Sequence, residues 1–402
     1  MAAARIEPSN SLNILVVGAG VAGCVLTRTL SAVPSLNVLC LEKVGRDDHQ
    51  NAGTGLNIGP NAAKALAKSC PELKSVLDDR SLPWRDWKMH LSSGRELFNV
   101  SLDELAGGPG WRISWSELYE TLRAECRDLV RFGASVSKIL RQPDGRLSVA
   151  WSDGSGRHQT ENIDLLIAAD GRFSAIRRSF AGEPRVSHLG VVIFRMLVPD
   201  TSGGLIGDHE QWFNGPNRLL AFQIKPDKIY IAGTFPIDPD SAIPAESKDP
   251  EFLRGLYLPV DHGPAPAVEW LVDSICRHSG LIHWARMQEQ EILYTDASAP
   301  ILYVGDAAHG MIPTLGQGAS QAIEDACAIG DRILGAIADG NRDVRSWLSG
   351  VEASRTDRMR FVMEFSREAS DTMLPEVDVV AGTLMKMEPE FQSNLRRLYQ
   401  KV

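Results

Sequence analysis

The hydropathy pattern opens on an unbroken apolar run, Leu12 to Val17, which passes directly into Gly18-Ala19-Gly20-Val21-Ala22-Gly23. A short apolar run closed by a glycine turn predicts a strand buried on both faces, as in a parallel sheet. Apolar residues then recur at helical spacing from Val21 to Ala32, and Asn37 to Leu41 predicts a second buried strand that ends at Glu42. Strand, glycine turn, helix and strand make a βαβ unit.

The same reading carries along the chain. A polar loop, 43–52, holds Asp47, Asp48 and His49. The glycine-dense segment Gly53 to Asn61 predicts a shaped loop, followed by a short helix from Asn61 to Ser69. Trp84 to Val100 predicts a β-hairpin turning at Ser92-Ser93-Gly94. Ser114 or Ser116 can cap a helix that runs to Cys126, with Arg112 just ahead of it. Val136 to Leu140, Arg146 to Trp151 and Asn162 to Ala168 predict three strands, the last ending in Asp170-Gly171 before a helix. From Ser187 to Tyr294 the pattern changes to alternation (Val191–Val198, Leu219–Ile224, Ile229–Phe235), which predicts an antiparallel sheet with two helices, 249–256 and 267–278. The chain then returns to a buried strand, Ile301 to Val304, before Gly305-Asp306, Pro313 and Gly316-Gln317-Gly318-Ala319. Long helices follow over about 319–338 and 344–368, with a polar tail to Val402.

The glycine spacing carries chemistry. In G-x-G-x-x-G, Gly18 makes the tight turn, Gly20 lets backbone approach a pyrophosphate, and Gly23 lets helix and strand pack closely. The helix N-terminus, with Val21 and Ala22, offers free N–H groups to the phosphates. Glu42 stands about 20 residues beyond Gly20, where an acid takes a ribose hydroxyl. Asp170-Gly171 at a strand's carboxyl end points to the same crevice. No second such motif occurs near 187–294, so that region reads as a substrate lobe rather than a nicotinamide domain.

Composition narrows the setting. Hydrophobic and charged residues make up 44% and 23% of the chain, a globular balance, and a net charge of −9 with no basic run argues against nucleic acid or an anionic membrane as partner. Six cysteines without C-x-x-C pairs fit a reducing cytoplasm, with Cys24, Cys40 and Cys327 in buried apolar patterns. No signal peptide, transmembrane run or metal-ligand set is expected.

Three distant elements, Gly18–Gly23 with Glu42, Asp170-Gly171, and Gly305-Asp306 through Ala319, together resemble the single-component FAD monooxygenases of the p-hydroxybenzoate hydroxylase class. The resemblance covers nearly the whole chain. It implies an α/β fold: a Rossmann-like FAD-binding domain of the GR2 type in two parts, 1–183 and 295–345, an inserted antiparallel substrate domain, 184–294, aided by the hairpin near 84–100, and C-terminal helices, 346–402. Finer features, including GTGLNIGPN, resemble 6-hydroxynicotinate 3-monooxygenase and 2-methyl-3-hydroxypyridine-5-carboxylate oxygenase, with salicylate hydroxylase further off. The implied reaction is hydroxylation of an aromatic or N-heteroaromatic acid or phenol by NADH or NADPH and O₂, through a flavin hydroperoxide. Epoxidation, Baeyer–Villiger oxidation, amine oxygenation and a non-catalytic flavin sensor are the alternatives. The protein would be a monomer or homodimer.

The implied cofactor residues are Gly18, Gly20, Val21, Ala22, Gly23, Glu42, Lys43, Gly55, Arg112, Asp170, Gly171, Gly305, Asp306, Pro313, Gly316, Gln317, Gly318 and Ala319. Arg112 would reach the cofactor, Asp306 its ribityl chain or, through neighbouring backbone, its pyrophosphate, and the 316–319 turn the pyrimidine edge of the flavin ring. Asn57, His209 and Tyr230 are candidate catalytic residues, and Asn57, Arg195, Trp212 and Phe213 candidate substrate contacts. Asn57 stands where the nicotinate-type relatives carry His. Asn hydrogen-bonds but takes no proton at neutral pH, so the resemblance brings no base to this position.

Overall fold

The computed structural model describes residues 11–48 and 54–400; His49 and Gly53 lie outside them. A five-stranded parallel sheet runs in the order Ile301–Tyr303, Leu165–Ala168, Leu12–Val17, Leu36–Glu42, Val130–Phe132. The predicted first strand is its centre, and Ile14, Leu15 and Val16 are buried because helices or strands cover both faces. Helix Val21–Ser31 crosses over from this strand. The long helix Gln317–Ala338 packs against it and against Pro60–Ser69.

A seven-stranded sheet forms the second layer, in the order 285–290, 186–199, 228–236, 217–225, 209–214, 86–91, 96–101. Its three central runs are the predicted alternating segments, antiparallel as expected. The hairpin expected at 84–100 forms Asp86–Leu91 and Glu96–Ser101, and its first strand lies parallel to His209–Asn214. One face of this sheet turns Ile193, Leu220, Phe222, Tyr230 and Ala232 toward the main core. The other packs Leu219, Ala221 and Ile231 on helices Pro250–Tyr257 and Pro266–Arg277.

The structure corrects three boundaries. Gly55–Ile58 is a strand paired antiparallel with Gly110–Ser114, not part of a loop. The segment 162–168 is split: Asn162 takes φ +57°, and Asp164 trades backbone and side-chain hydrogen bonds with the Asn13 main chain, which hands the chain from a three-stranded antiparallel sheet to the parallel one. His209–Asn214 is a strand that its mixed polarity concealed. Ser114 is the cap of helix Trp115–Glu125, accepting from Glu117 N–H at 3.2 Å. The polar tail contains helices Val379–Met385 and Pro389–Gln400. No helix among the described residues is long and apolar enough to cross a membrane.

A buried ionic network ties the long helix Gln317–Ala338 to helices Val344–Glu368 and Pro60–Ser69. Arg355 donates to Asp325 and Glu324, each at 2.8 Å, and Arg358 donates to Glu324 at 2.8 Å. Asp325 also meets His309 Nε2 at 2.6 Å and accepts from the Tyr294 hydroxyl at 2.9 Å. Burial alone would raise the Asp325 carboxyl, but His309 and Arg355 overcome it and hold it down to about 2. Asn61 reaches Glu324 at 2.9 Å, so the network spans four helices.

Arg355→Ala leaves Asp325 with His309 and Tyr294 and Glu324 with Arg358, short of one buried positive charge, and is expected to cost about 3–5 kcal/mol. Equilibrium urea unfolding would measure it. A loss below about 1 kcal/mol, the level of an exposed pair, would show that the network is not structural.

Candidate active site

Two cavities meet above the carboxyl ends of the parallel strands. The first, of about 560 Å³, is lined by Gly18, Glu42, Lys43, Arg123, Asp170 and residues of strand Ser135–Arg141. The second, of about 450 Å³, lies between the glycine turns and the seven-stranded sheet. Gly20, Tyr119, Ala169 and Gly171 line both, so the two cavities adjoin.

Close packing shapes the junction. A Cβ on Gly18 would stand 2.3 Å from the Ala169 carbonyl oxygen, and one on Gly23 would stand 1.9 Å from that of Gly18. Only glycine lets the first strand, its neighbour and the helix converge here. Gly20 then caps helix Val21–Ser31 with no side-chain hydrogen bond and no acid in the first turn. The orphan N–H groups of this helix face the cavity where Val21 and Ala22 line it. Gly316, at φ +64°, caps Gln317–Ala338 in the same uncapped way, and Gly318 and Ala319 line the second cavity.

The acid after the second strand organises the turn itself. Glu42 accepts from Ala19 N–H at 2.7 Å and Val44 N–H at 3.0 Å, with Arg123 at 3.6 Å. Arg123 lies over the Tyr119 ring, its guanidinium 4.9 Å from the centroid, and one of its terminal nitrogens is buried with no partner. Asp170 sits across the same space; burial raises its carboxyl, and one oxygen lacks a partner. Orphan amides, an orphan guanidinium nitrogen and an orphan carboxylate oxygen in one cleft are donors and acceptors that suit a dinucleotide.

Most residues singled out in the sequence line this space. Gly18, Glu42, Lys43 and Asp170 line the first cavity. Val21, Ala22, Gly55, Asn57, Arg195, Tyr230, Gly305, Asp306, Pro313, Gly316, Gly318 and Ala319 line the second, while Gly20 and Gly171 line both. The Asn57 side chain lies against the Gly316 turn, where a Cβ on Gly316 would stand 2.4 Å from its Nδ2.

Other candidates turn away. Arg112 donates to the Pro83 and Gly207 carbonyls at 3.1 and 2.8 Å and pairs with Asp208 at 3.1 Å; it ties strand Gly110–Ser114 to the second sheet rather than reaching the cleft. The Gln317 side chain bonds Asn61 at 3.1 Å and Gln321 at 3.0 Å within the buried network. Gly23 serves packing alone. His209 is buried among Trp84, Trp87 and Phe222, and burial pushes its imidazole down to about 3, too far from the cleft to act as a base. Trp212 stacks on His90 and Phe213 joins the core; neither lines a cavity.

Sequence reasoning passed over Trp115, Tyr119 and Arg123, which line the cleft from one helix. Their spacing of four residues was a readable signal, since i, i+4 and i+8 share a helix face. Arg172 follows Asp170-Gly171 directly, and Arg218 occupies a buried position beside the apolar run Leu219–Phe222 of its strand.

Comparison with known proteins agrees with this geometry. Residues 285–366, which hold the Gly305-Asp306 turn and the start of the long helix, match the family model of the FAD binding domain. The chain is 28% identical over 372 residues to the FAD-dependent urate hydroxylase of Klebsiella pneumoniae, covering 90% of each. It is 25% identical to 6-hydroxynicotinate 3-monooxygenase of Pseudomonas fluorescens, covering 90% of this chain and 91% of that one. The crystal structure of Klebsiella pneumoniae HpxO with FAD and uric acid shares the fold, with TM-score 0.75 at 22% identity over 98% of this chain and 95% of that one. These matches are to FAD-dependent hydroxylases and monooxygenases, the class that the motifs of this chain resemble.

Arg123→Ala is expected to weaken FAD binding about 10- to 100-fold, the loss of one charge-assisted hydrogen bond, as read by titration of the FAD-free protein. Arg112→Lys should leave that affinity unchanged, and the opposite ranking would return the cofactor arginine to Arg112. A second expectation follows from His209. Its folded value of about 3 lies below the ordinary 6.5, so the unfolded chain binds the extra proton and stability falls as pH drops between them. His209→Leu should flatten this slope by up to about 1.4 kcal/mol per pH unit, measured by urea unfolding at pH 7 and pH 5; an unchanged slope would refute the assignment.

Proposed function

We propose that this protein is an FAD-dependent monooxygenase that uses NADH or NADPH and O₂ to hydroxylate an aromatic or N-heteroaromatic substrate of phenolic or pyridine-carboxylate type. The observation that carries the proposal is the pair of joined cavities. The uncapped N-terminus of helix Val21–Ser31 lines them, and the second is also lined by Arg195, Arg218 and Tyr230 of the seven-stranded sheet.

In this reading Glu42 and Arg123 hold the adenosine end of FAD, and the amides at Gly20–Ala22 take the pyrophosphate. Asp306 meets the ribityl chain and the 316–319 turn takes the ring. Bound flavin supplies hydride acceptance and oxygen activation. The protein's part is to bind, orient and keep water out. The N-terminus of Gln317–Ala338 favours negative charge beside it by about 0.3–1 kcal/mol, more where water is excluded. Residues 184–294, with the hairpin near 84–100, act as the substrate side, while 1–183 and 295–345 hold the cofactor and 346–402 brace it.

Tyr230, raised above its ordinary value by burial, stays protonated and can hydrogen-bond a substrate hydroxyl. Its ring packs against Gly55, where a Cβ would stand 2.7 Å from it, so its position is fixed. Asn57 offers a second hydrogen bond but no base. Activation of a phenol would then rest on stabilising its anion, with Arg195 beside Tyr230.

The test is oxidation of NADH and of NADPH by FAD-loaded protein across hydroxylated benzoates and pyridine carboxylates, with the product's mass determined. Stimulated oxidation with one oxygen atom gained is expected for at least one compound. Bound flavin with no stimulation and no oxygenated product across the panel would refute the reaction class.

A further inference from the structure

Behind the wall of the first cavity, two thiols face each other where two helices meet. Cys24 lies on helix Val21–Ser31 directly after Gly23, and Cys126 closes helix Trp115–Glu125. Three contacts fix their approach. Arg28, one turn beyond Cys24, pairs with the Glu125 carboxylate at 2.8 Å and donates to the Glu125 carbonyl at 3.3 Å. The Ala19 carbonyl accepts from the Cys24 thiol at 3.4 Å and from Arg123 Nε at 3.3 Å, and Arg123 lies one turn before Cys126. The two sulfurs are themselves in hydrogen-bond contact.

The pair is unequal. The hydrogen bond from Cys24, with the charges of Arg123 and Arg28, holds the Cys126 thiol below its ordinary value against burial. The same hydrogen bond and burial push Cys24 well above it. Thiolate is the attacking form of cysteine, and a cationic, hydrogen-bonded setting favours it. Cys40, a third thiol nearby, is pushed up to about 12 by burial and stays protonated. Cys24 and Cys126 are only 2% and 1% exposed, so the reagent that reaches them must be small. Arg123, on the same helix turn as Cys126, lines the first cavity.

We propose that Cys24 and Cys126 form a dithiol that hydrogen peroxide oxidises to a disulfide, and that this bond loosens the turn beside the cofactor cavity. The Cys126 sulfur attacks one peroxide oxygen and breaks the O–O bond, giving a sulfenic acid and one water. The Cys24 sulfur then displaces the sulfenic hydroxyl as a second water, so two electrons from sulfur reduce one peroxide. A disulfide sulfur carries no hydrogen, and the Ala19 carbonyl therefore loses the Cys24 donor and keeps Arg123 alone. Glu42 holds the N–H of the same Ala19, so the loss falls on the turn between the first strand and its helix. The effect on cofactor rests on reading this cavity as an FAD site and goes beyond the reaction proposed there. In that reaction the oxidant is at hand, since reduced flavin that meets O₂ without transferring oxygen yields hydrogen peroxide.

The experiment exposes FAD-loaded full-length protein to hydrogen peroxide, blocks remaining thiols with iodoacetamide and maps unreduced peptides by mass. A cross-linked peptide joining Cys24 to Cys126, lighter by two hydrogens than its halves, is expected. Oxidised protein should hold FAD about 3- to 10-fold more weakly, the value of one hydrogen bond, as read from the fluorescence of released flavin. Dithiothreitol should restore the affinity. Cys126→Ser and Cys126→Ala should each keep their FAD through the same exposure. Absence of the cross-link, oxidation confined to the partly exposed Cys276, or a bond from Cys126 to Cys40 would overturn the dithiol. A Cys24–Cys126 bond that leaves FAD affinity unchanged, or equal peroxide-driven loss of FAD from both variants, would overturn its hold on the turn. Neither readout uses nicotinamide or substrate, so the dithiol and the monooxygenase reaction fail separately.

Discussion

The structure depends on two adjacent carboxylates, Glu324 and Asp325, held in the interior of the long helix by Arg355. Buried carboxylates are tolerable only when paired and hydrogen-bonded. Here His309, Tyr294, Arg358 and Asn61 complete the set, so that each oxygen has a fixed partner. Asp325 also accepts the Gly305 N–H at 3.4 Å, which ties the Gly305-Asp306 turn to the helix behind it. The cleft's rear wall thus inherits its rigidity from charges that never touch a ligand. Such a network gives shape at some expense in stability, and it fits a site whose cofactor must lie in one orientation.

The cleft itself is defined by what comes close rather than by what reaches in. Glycine at 18, 23 and 316 allows backbone to meet backbone or side chain where any Cβ would collide. Helices Val21–Ser31 and Gln317–Ala338 start at glycines with no side-chain cap, which leaves their amides for a ligand. Helix Trp115–Glu125 then lays Trp115, Tyr119 and Arg123 along the two cavities, and Glu42 accepts from the Ala19 and Val44 amides. The glycine turns of the second cavity offer backbone amides while its sheet wall carries Arg195 and Arg218, and the two walls differ in chemistry for that reason.

How much of this was legible follows from the range of each signal. The βαβ unit, the Gly305-Asp306 turn and the long helix were readable because their cues are local: apolar period, glycine spacing and helix length. The predicted antiparallel runs of the second sheet were readable by alternation. Arg112 was misread because an arginine before a helix looks the same whether it faces a cofactor or, as here, two carbonyls and Asp208 of a strand far along the chain. His209, Trp212 and Phe213 were misread because their strand is polar and apolar in mixed order: Trp212 packs on the outer helices, while His209 and Phe213 share the face of Phe222 and Arg218 but are packed among core side chains and line neither cavity.

The chain's own order of residues determined the nucleotide-binding topology, the class of cofactor and the positions where backbone must come close, because these depend on runs of neighbours and on the absence of side chains. Tertiary structure alone decided which charged groups face the cleft. Arg123 and Arg218 enter it while Arg112 and His209 leave it, since a side chain's direction depends on register with strands and helices up to a hundred residues away. Periodicity says which residues share a face. Only packing says what that face meets.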